Sequence, residues 1–387
     1  MILLKNCEVF APEPVGKKDI LLGGGIILAI ENEISSSEVT RFGGEIIQAG
    51  GLRAVPGLID GHVHIAGSGG EGGPATRTPE LQLSQMLKGG VTTVIGLLGT
   101  DGFTRNLEAV LMKVKGLRAE GVSAWMMTGA YQIPTPTLLG DVGRDISLIE
   151  EIIGVGEIAL SDHRSSEPTL NELIRLAVHA RIGGMLGNKA GIVNVHMGDR
   201  ENPFRLINEA VATTDLHFTQ FLPTHCNRNK HIFNEAKKYG INGYIDLTSY
   251  PGTLGRNSVN AADGVMELLA AGVPLEHITT TSDGCGSMPI FDENGKFVKM
   301  GIGTPDAIYN TFKILVNKHK LPWEQALKVV STNPANIYKL HGKGVLHPGK
   351  DADIILLDAN TEIQFLLANG TLMVKNGHPI KKGTFEN

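Results

Sequence analysis

The 387-residue chain predicts an α/β fold: a (β/α)8 TIM-type barrel with a small β-sandwich domain built from both chain termini. Three observations carry this. Roughly eight short, continuously apolar runs lie between residues 54 and 282, as expected for parallel strands buried on both faces. Amphipathic segments alternate with them, which favours a closed barrel over an open sheet. Residues 1–54 and 342–387 show instead only short β-rich runs between turn signals.

The elements follow in order. Near the start, the runs 2–9, 19–22, 25–31 and 45–49 read as strands. Gly23-Gly24-Gly25 and Gly50-Gly51 mark turns, and no helical period is present. Barrel strands are predicted at 54–65, 91–98, 123–131, 155–161, 192–197, 221–226, 243–249 and 278–282. Helices are predicted at 79–88, 104–120, 169–186, 204–213, 230–239 and 258–271. In the third of these, Leu170, Leu173, Ile174, Ala177 and Val178 keep the i, i+3, i+4, i+7, i+8 spacing of a helix packed on a sheet. Two more helices are expected at 304–319 and 323–331. The chain then returns to strands at 352–357, 364–368 and 371–375, the last two joined by the two-residue hairpin turn Asn369-Gly370. Both termini are all-β and flank the barrel, so they pair as one small domain around a barrel spanning 55–341.

Composition narrows the function classes. Apolar residues make up 42% and charged residues 19%, enough for a large core, which excludes a disordered chain. Lys plus Arg is 35 against 40 for Asp plus Glu, and this net charge of −5 offers no attraction for nucleic acid or an anionic membrane. Cys7, Cys226 and Cys285 lie far apart without C-x-x-C spacing, so free thiols are expected rather than disulfides or a zinc knuckle. No signal peptide and no apolar run near the ~20 residues of a membrane span is visible. The expected location is the cytoplasm.

In a barrel of this kind the chemistry sits at the C-terminal strand ends. The first strand ends in Asp60-Gly61-His62-Val63-His64, and His62 and His64, two apart, face the same side. The fifth ends in His196, the sixth in His225 and the eighth in Asp283. A single strand-end histidine is most often a hydrogen-bonded structural residue. Four of them with one carboxylate, on four strands, form a ligand set for two divalent cations that prefer nitrogen and oxygen, zinc being the default. The other nine of the 13 histidines read as ordinary, His163 and His179 included.

Pro56-Gly57-Leu58-Ile59-Asp60-Gly61-His62-Val63-His64 resembles the first-strand signature of the amidohydrolase superfamily, as does the tail Gly344 to Asp353. Within it, the segments Gly69 to Gly73, Leu97 to Asp101, Ile152 to Val155, Ser161 to Ser165, Asn194 to Gly198, Pro223 to His225 and Ser282 to Ser287 resemble the isoaspartyl dipeptidase family. That resemblance implies hydrolysis of β-aspartyl dipeptides by a metal-bridging hydroxide. One metal would be held by His62, His64 and Asp283, the other by His196 and His225. A strand-four carboxylate would bridge them. The family usually uses a carboxylated lysine there; this chain has Glu157, which carries the two oxygens without CO2 but on a shorter side chain. Asp283 would also move the proton from water to the leaving amine, and Tyr131 would donate to the oxyanion. Arg164 and Arg228 would bind substrate carboxylates, Glu71 the α-ammonium, with Thr100 and Ser287 adding hydrogen bonds. The family also implies a symmetric homo-oligomer such as an octamer. Two other readings compete: a cyclic amide hydrolase of the dihydroorotase or hydantoinase kind, and a non-catalytic, assembly-forming homologue. Three charged anchors argue against a small neutral ring, and an intact histidine set argues against lost catalysis.

Overall fold

The computed structural model describes residues 1–250, 257–291 and 296–386. Eight parallel strands form its centre: Leu58–Val63, Val91–Gly96, Ser123–Thr128, Ile152–Leu160, Ile192–Met197, Phe221–Thr224, Ile245–Thr248 and Ile278–Thr281. The first six pair consecutively in one sheet, and the seventh pairs with the eighth. Two backbone contacts link these pieces. Cys226 N–H donates to the Asp246 carbonyl (3.3 Å), and His64 N–H donates to the Gly284 carbonyl (2.8 Å), beside a parallel bridge between Val63 and Gly284. The sheet thus curls until its first and last strands meet. Nearly every residue of these strands is buried, as their unbroken apolar runs require.

The helices cover the outside of this sheet. The longest, Leu170–Gly187, starts with a capping box: Thr169 accepts from the Glu172 N–H while the Glu172 carboxylate accepts from Thr169. Its buried Leu173, Ala177 and Ala180 continue the predicted stripe, and Leu173→Ala would cost about 2–5 kcal/mol through the cavity it leaves.

Four expectations need correction. The predicted strand 54–65 is two strands, because Gly57 breaks it. Arg53–Pro56 pairs with the terminal strands, and Leu58–Val63 enters the curled sheet. A Cβ at Gly57 would meet Thr92 Oγ1 at 2.3 Å, so only glycine lets the chain cross there. Two helices were not predicted. Ser36–Arg41 is nucleated by the Ser35 cap on Glu38 N–H, and Val142–Leu148 by the Asp141 cap on Arg144 N–H. Each is too short to show a period. Finally, the helix predicted at 323–331 continues to Ile337, through a π-helical turn at Lys328–Thr332 just before Pro334.

The termini do come together. Nine strands form one mixed sheet, running from His378–Pro379 through Thr371–Lys375, Ile363–Ala368, Ile354–Leu357, Arg53–Pro56, Ile2–Phe10 and Pro14–Gly23 to Ile26–Glu31, with Glu45–Gln48 added parallel to Ile2–Phe10. It has its own apolar cluster, including Leu4, Val9, Ile20, Ile27, Ile354 and Leu356. Asn369 and Gly370 both take positive φ (47° and 71°), the hairpin turn their sequence predicts. Among the described residues this is a single hydrogen-bonded sheet, not two separate ones.

Candidate active site

A cavity of about 620 Å³ opens at the C-terminal ends of the parallel strands. His64, Glu71, Thr100, Tyr131, Glu157, Arg164, His196, His225, Arg228, Asp283 and Ser287 line it, and His62 is fully buried against Glu157 and His225. Every residue singled out from the sequence for chemistry therefore converges here. His163 lines only the exposed outer edge of the cavity, and His179 pairs with Asp141 (2.8 Å) on the outside of the fold.

Glu157 lies at the centre. Its Oε1 is 2.6 Å from His196 Nδ1 and 2.9 Å from His225 Nε2. Its Oε2 faces the other pair, 3.5 Å from His62 Nε2 and 3.9 Å from His64 Nε2. Asp283 Oδ1 sits 3.1 Å from His64 Nε2 and 3.8 Å from His62 Nε2. Several of these buried atoms make no hydrogen bond: both ring nitrogens of His62, Nδ1 of His64, Oε2 of Glu157 and Oδ1 of Asp283. Unpaired buried acceptors and imidazoles are costly, and here they face one another. Two sets, His62–His64–Asp283 and His62–Glu157–His225, bring ligand atoms within 4.8 Å of one another, so the donor set fits metal ions.

The electrostatics agree. Burial opposes charge on Glu157, but His62, His196 and His225 outweigh it and hold the carboxyl well below its ordinary value. Burial likewise opposes charge on Asp283, and the facing His64 imidazole with the nearby His225 and His62 lowers its pKa. Burial disfavours a charged His62, yet Glu157 and Asp283 push it up to about 9: the cluster draws positive charge. Burial takes His225 down to about 4, leaving it neutral at pH 7, the form that ligates. Beneath the cluster, burial raises Asp60 to about 7 against the hydrogen bonds it accepts from Ser282 and His62 N–H.

Above it lies a charged rim. Tyr131 Oη is 2.7 Å from His196 Nδ1, and its ring lies 5.3 Å beneath the Arg164 guanidinium. Glu71 accepts from Ser287 Oγ (2.9 Å) and from Arg164 (3.5 Å).

A curled parallel sheet with histidines and carboxylates at its mouth could hold metal ions, and the chain belongs to the amidohydrolase family, which matches residues 53–380, so it is a hydrolase. Within that family it is similar to the β-aspartyl dipeptidase of the keratin-degrading thermophile Fervidobacterium islandicum AW-1, solved in complex with β-Asp-Leu. The two share 40% identity over 100% of both chains, with a TM-score of 0.91. A dihydroorotase of Elusimicrobium minutum (strain Pei191) is 24% identical over 97% of this chain and 93% of its own. A D-hydantoinase from Thermus sp., 18% identical over 100% of this chain and 98% of its own with a TM-score of 0.69, shares the fold.

Among the lining residues to which sequence reasoning gave no role, Asp162 and Tyr250 stand out. Asp162, buried, contacts both rim arginines and His196. Its signal was the Asp-x-Arg spacing just past the fourth strand. Tyr250, whose pKa burial raises, follows the seventh strand by two residues, where the strand-end rule would have found it. The strand pair Ser287–Phe291 and Phe297–Ile302, which brings Ser287, Met288 and Met300 to the cavity, was also not predicted.

Proposed function

We propose that this hydrolase cleaves β-aspartyl dipeptides with two divalent metal ions, zinc being the expected pair. The observation that carries the reading is the convergence of Glu71, Arg164 and Arg228 over a cluster in which one carboxylate faces two sets of histidines. A dipeptide with two carboxylates and one ammonium matches that rim. The dihydroorotase relative supports a cyclic amide hydrolase as the second reading, but dihydroorotate carries one carboxylate and no ammonium, which leaves Glu71 and one arginine unmatched.

In this reading His62, His64 and Asp283 would hold one ion and His196 and His225 the other, with Glu157 as the carboxylate they would share. When bound, the ions acidify a water and polarise the scissile carbonyl. Asp283, held ionised at neutral pH, takes the water's proton as the new C–O bond forms, then returns it to the leaving amine as the C–N bond breaks. Burial, then Glu157, raise the Tyr131 pKa against Arg164 and Arg228, so its hydroxyl stays protonated and can donate to the developing oxyanion. Glu71 takes the α-ammonium, Arg164 and Arg228 the carboxylates, and Thr100 and Ser287 add hydrogen bonds.

The same reading divides the chain into a catalytic barrel, 55–341, and a small β-domain from 1–54 and 342–387. It makes the protein a cytoplasmic homo-oligomer. Its three cysteines are buried and unpaired, and among the described residues no helix is long and apolar enough to cross a membrane. The test is a hydrolysis panel of β-Asp-Leu, α-Asp-Leu and dihydroorotate, with metal content measured on the same sample. β-Asp-Leu should be cleaved and α-Asp-Leu left almost untouched; equal rates on the two isomers would defeat the specificity.

A further inference from the structure

We propose that Asp162 is the positioning residue of the substrate rim: one buried carboxylate that fixes Arg164 and Arg228 with their free edges turned toward a substrate carboxylate. This rests on the dipeptidase reading above.

The geometry divides each guanidinium into a spent edge and a free one. Arg164 donates Nε to Asp162 Oδ1 (2.9 Å) and Nη2 to Oδ2 (3.0 Å), a bidentate pair. Its backbone N–H also donates to Oδ1 (2.9 Å). Only Nη1 remains, 3.5 Å from Glu71 Oε1. Arg228 donates Nη1 to Asp162 Oδ2 (3.2 Å) and to the Met197 carbonyl (3.0 Å). Its Nε and Nη2 make no hydrogen bond among the described residues. Both arginines belong to loops, one past the fourth strand and one past the sixth; both also reach His196 Nε2 (Arg164 Nη2 at 3.0 Å, Arg228 Nη1 at 3.3 Å), and Asp162 is the carboxylate they share.

The shared partner solves two physical problems. Two guanidiniums facing one cavity repel each other, and a carboxylate between them cancels that repulsion. Long side chains also lose rotamer freedom on binding, and arginines already held need not be ordered again by the substrate. Asp162 also meets the exposed His163 (Nδ1 to Oδ1, 3.4 Å) and His196 (Nε2 to Oδ2, 3.1 Å); the second contact offers a competing role, that of orienting a metal ligand, and the experiment separates the two.

The variant is Asp162→Asn, checked for folding by thermal melting. Its KM for β-Asp-Leu should rise roughly 50-fold while kcat stays within about fivefold. Each substrate carboxylate is then replaced in turn by a carboxamide. Wild type should discriminate against at least one amide, and that discrimination should shrink in the variant, which a general structural defect would not produce. Asp162→Glu, which keeps the charge on a longer arm, should fall between the two, and it carries the test if the asparagine variant does not fold. L-Aspartate binding, measured by calorimetry, reads the arginine placement without turnover. If wild type turns over β-Asp-Leu and Asp162→Asn matches it in KM and in L-aspartate affinity, the proposal fails alone. If the loss falls in kcat and metal occupancy with KM unchanged, Asp162 acts through His196 and the proposal is overturned. If wild type does not cleave β-Asp-Leu but L-aspartate binding still weakens in the variant, the dipeptidase reading fails and the positioning role stands.

Discussion

Replacing Glu157 with glutamine keeps the size of the side chain and removes one negative charge from the middle of the histidine cluster. The consequences can be worked from the distances. Oε1 serves His196 and His225 at 2.6 and 2.9 Å, and Oε2 faces His62 and His64 at 3.5 and 3.9 Å. An amide offers one oxygen, so one of these pairs must face an N–H₂ group instead, which cannot ligate. Two unit charges 4 Å apart interact by about 4 kcal/mol at an effective dielectric of 20. Allowing for relaxation, a loss of about 3 kcal/mol is reasonable, and 1.4 kcal/mol is tenfold, so at least one ion should bind roughly a hundredfold more weakly. The assay is metal per subunit and zinc affinity for wild type and Glu157→Gln, purified and dialysed together, with turnover on β-Asp-Leu. Turnover should nearly vanish. If both proteins hold two ions with equal affinity, Glu157 does not bridge them and the reasoning fails. Activity of wild type should also be indifferent to bicarbonate, since a glutamate needs no CO2. Glu157→Lys should recover little even with bicarbonate, because the glutamate already stands within hydrogen-bonding distance of two histidines and leaves no room for a longer carbamate.

Two further outcomes follow from the same site. Asp283→Asn should lower kcat about 10²–10⁴-fold with substrate binding retained, since an amide can neither take nor return the proton; steady-state kinetics checks this, and a loss well under tenfold would move the proton transfer elsewhere. Asp246 is fully buried and accepts from Thr224, Thr279 and Thr281, and burial raises its pKa to about 6. An acid whose folded pKa exceeds its unfolded value of about 3.9 stabilises the fold fully below that value, and the contribution is lost as pH rises through about 6. Asp246→Asn should remove that slope, up to about 3 kcal/mol between about pH 4 and 7, read as a smaller pH dependence of the urea midpoint than in wild type.

What the sequence disclosed, and what it withheld, follows from the range of the interactions involved. His62, His64, His196, His225 and Asp283 were legible because a strand end is a local property, and a parallel barrel brings all its strand ends to one mouth. Gly57 was not legible as a break, because its reason is Thr92, on the neighbouring strand. The order of the nine terminal strands was out of reach for the same cause: alternation marks a strand but does not choose its neighbour. Glu157 lies between these cases. It sits inside Ile152–Leu160, not at its end, so the strand-end rule passes over it and only family resemblance brought it forward. In the structure its shorter side chain faces all four histidines. Asp162 shows the limit most clearly. Its pairing with Arg164 is local and visible in an Asp-x-Arg spacing, but its hold on Arg228 spans 66 positions. A residue whose work is to join two loops has no signature in either loop alone.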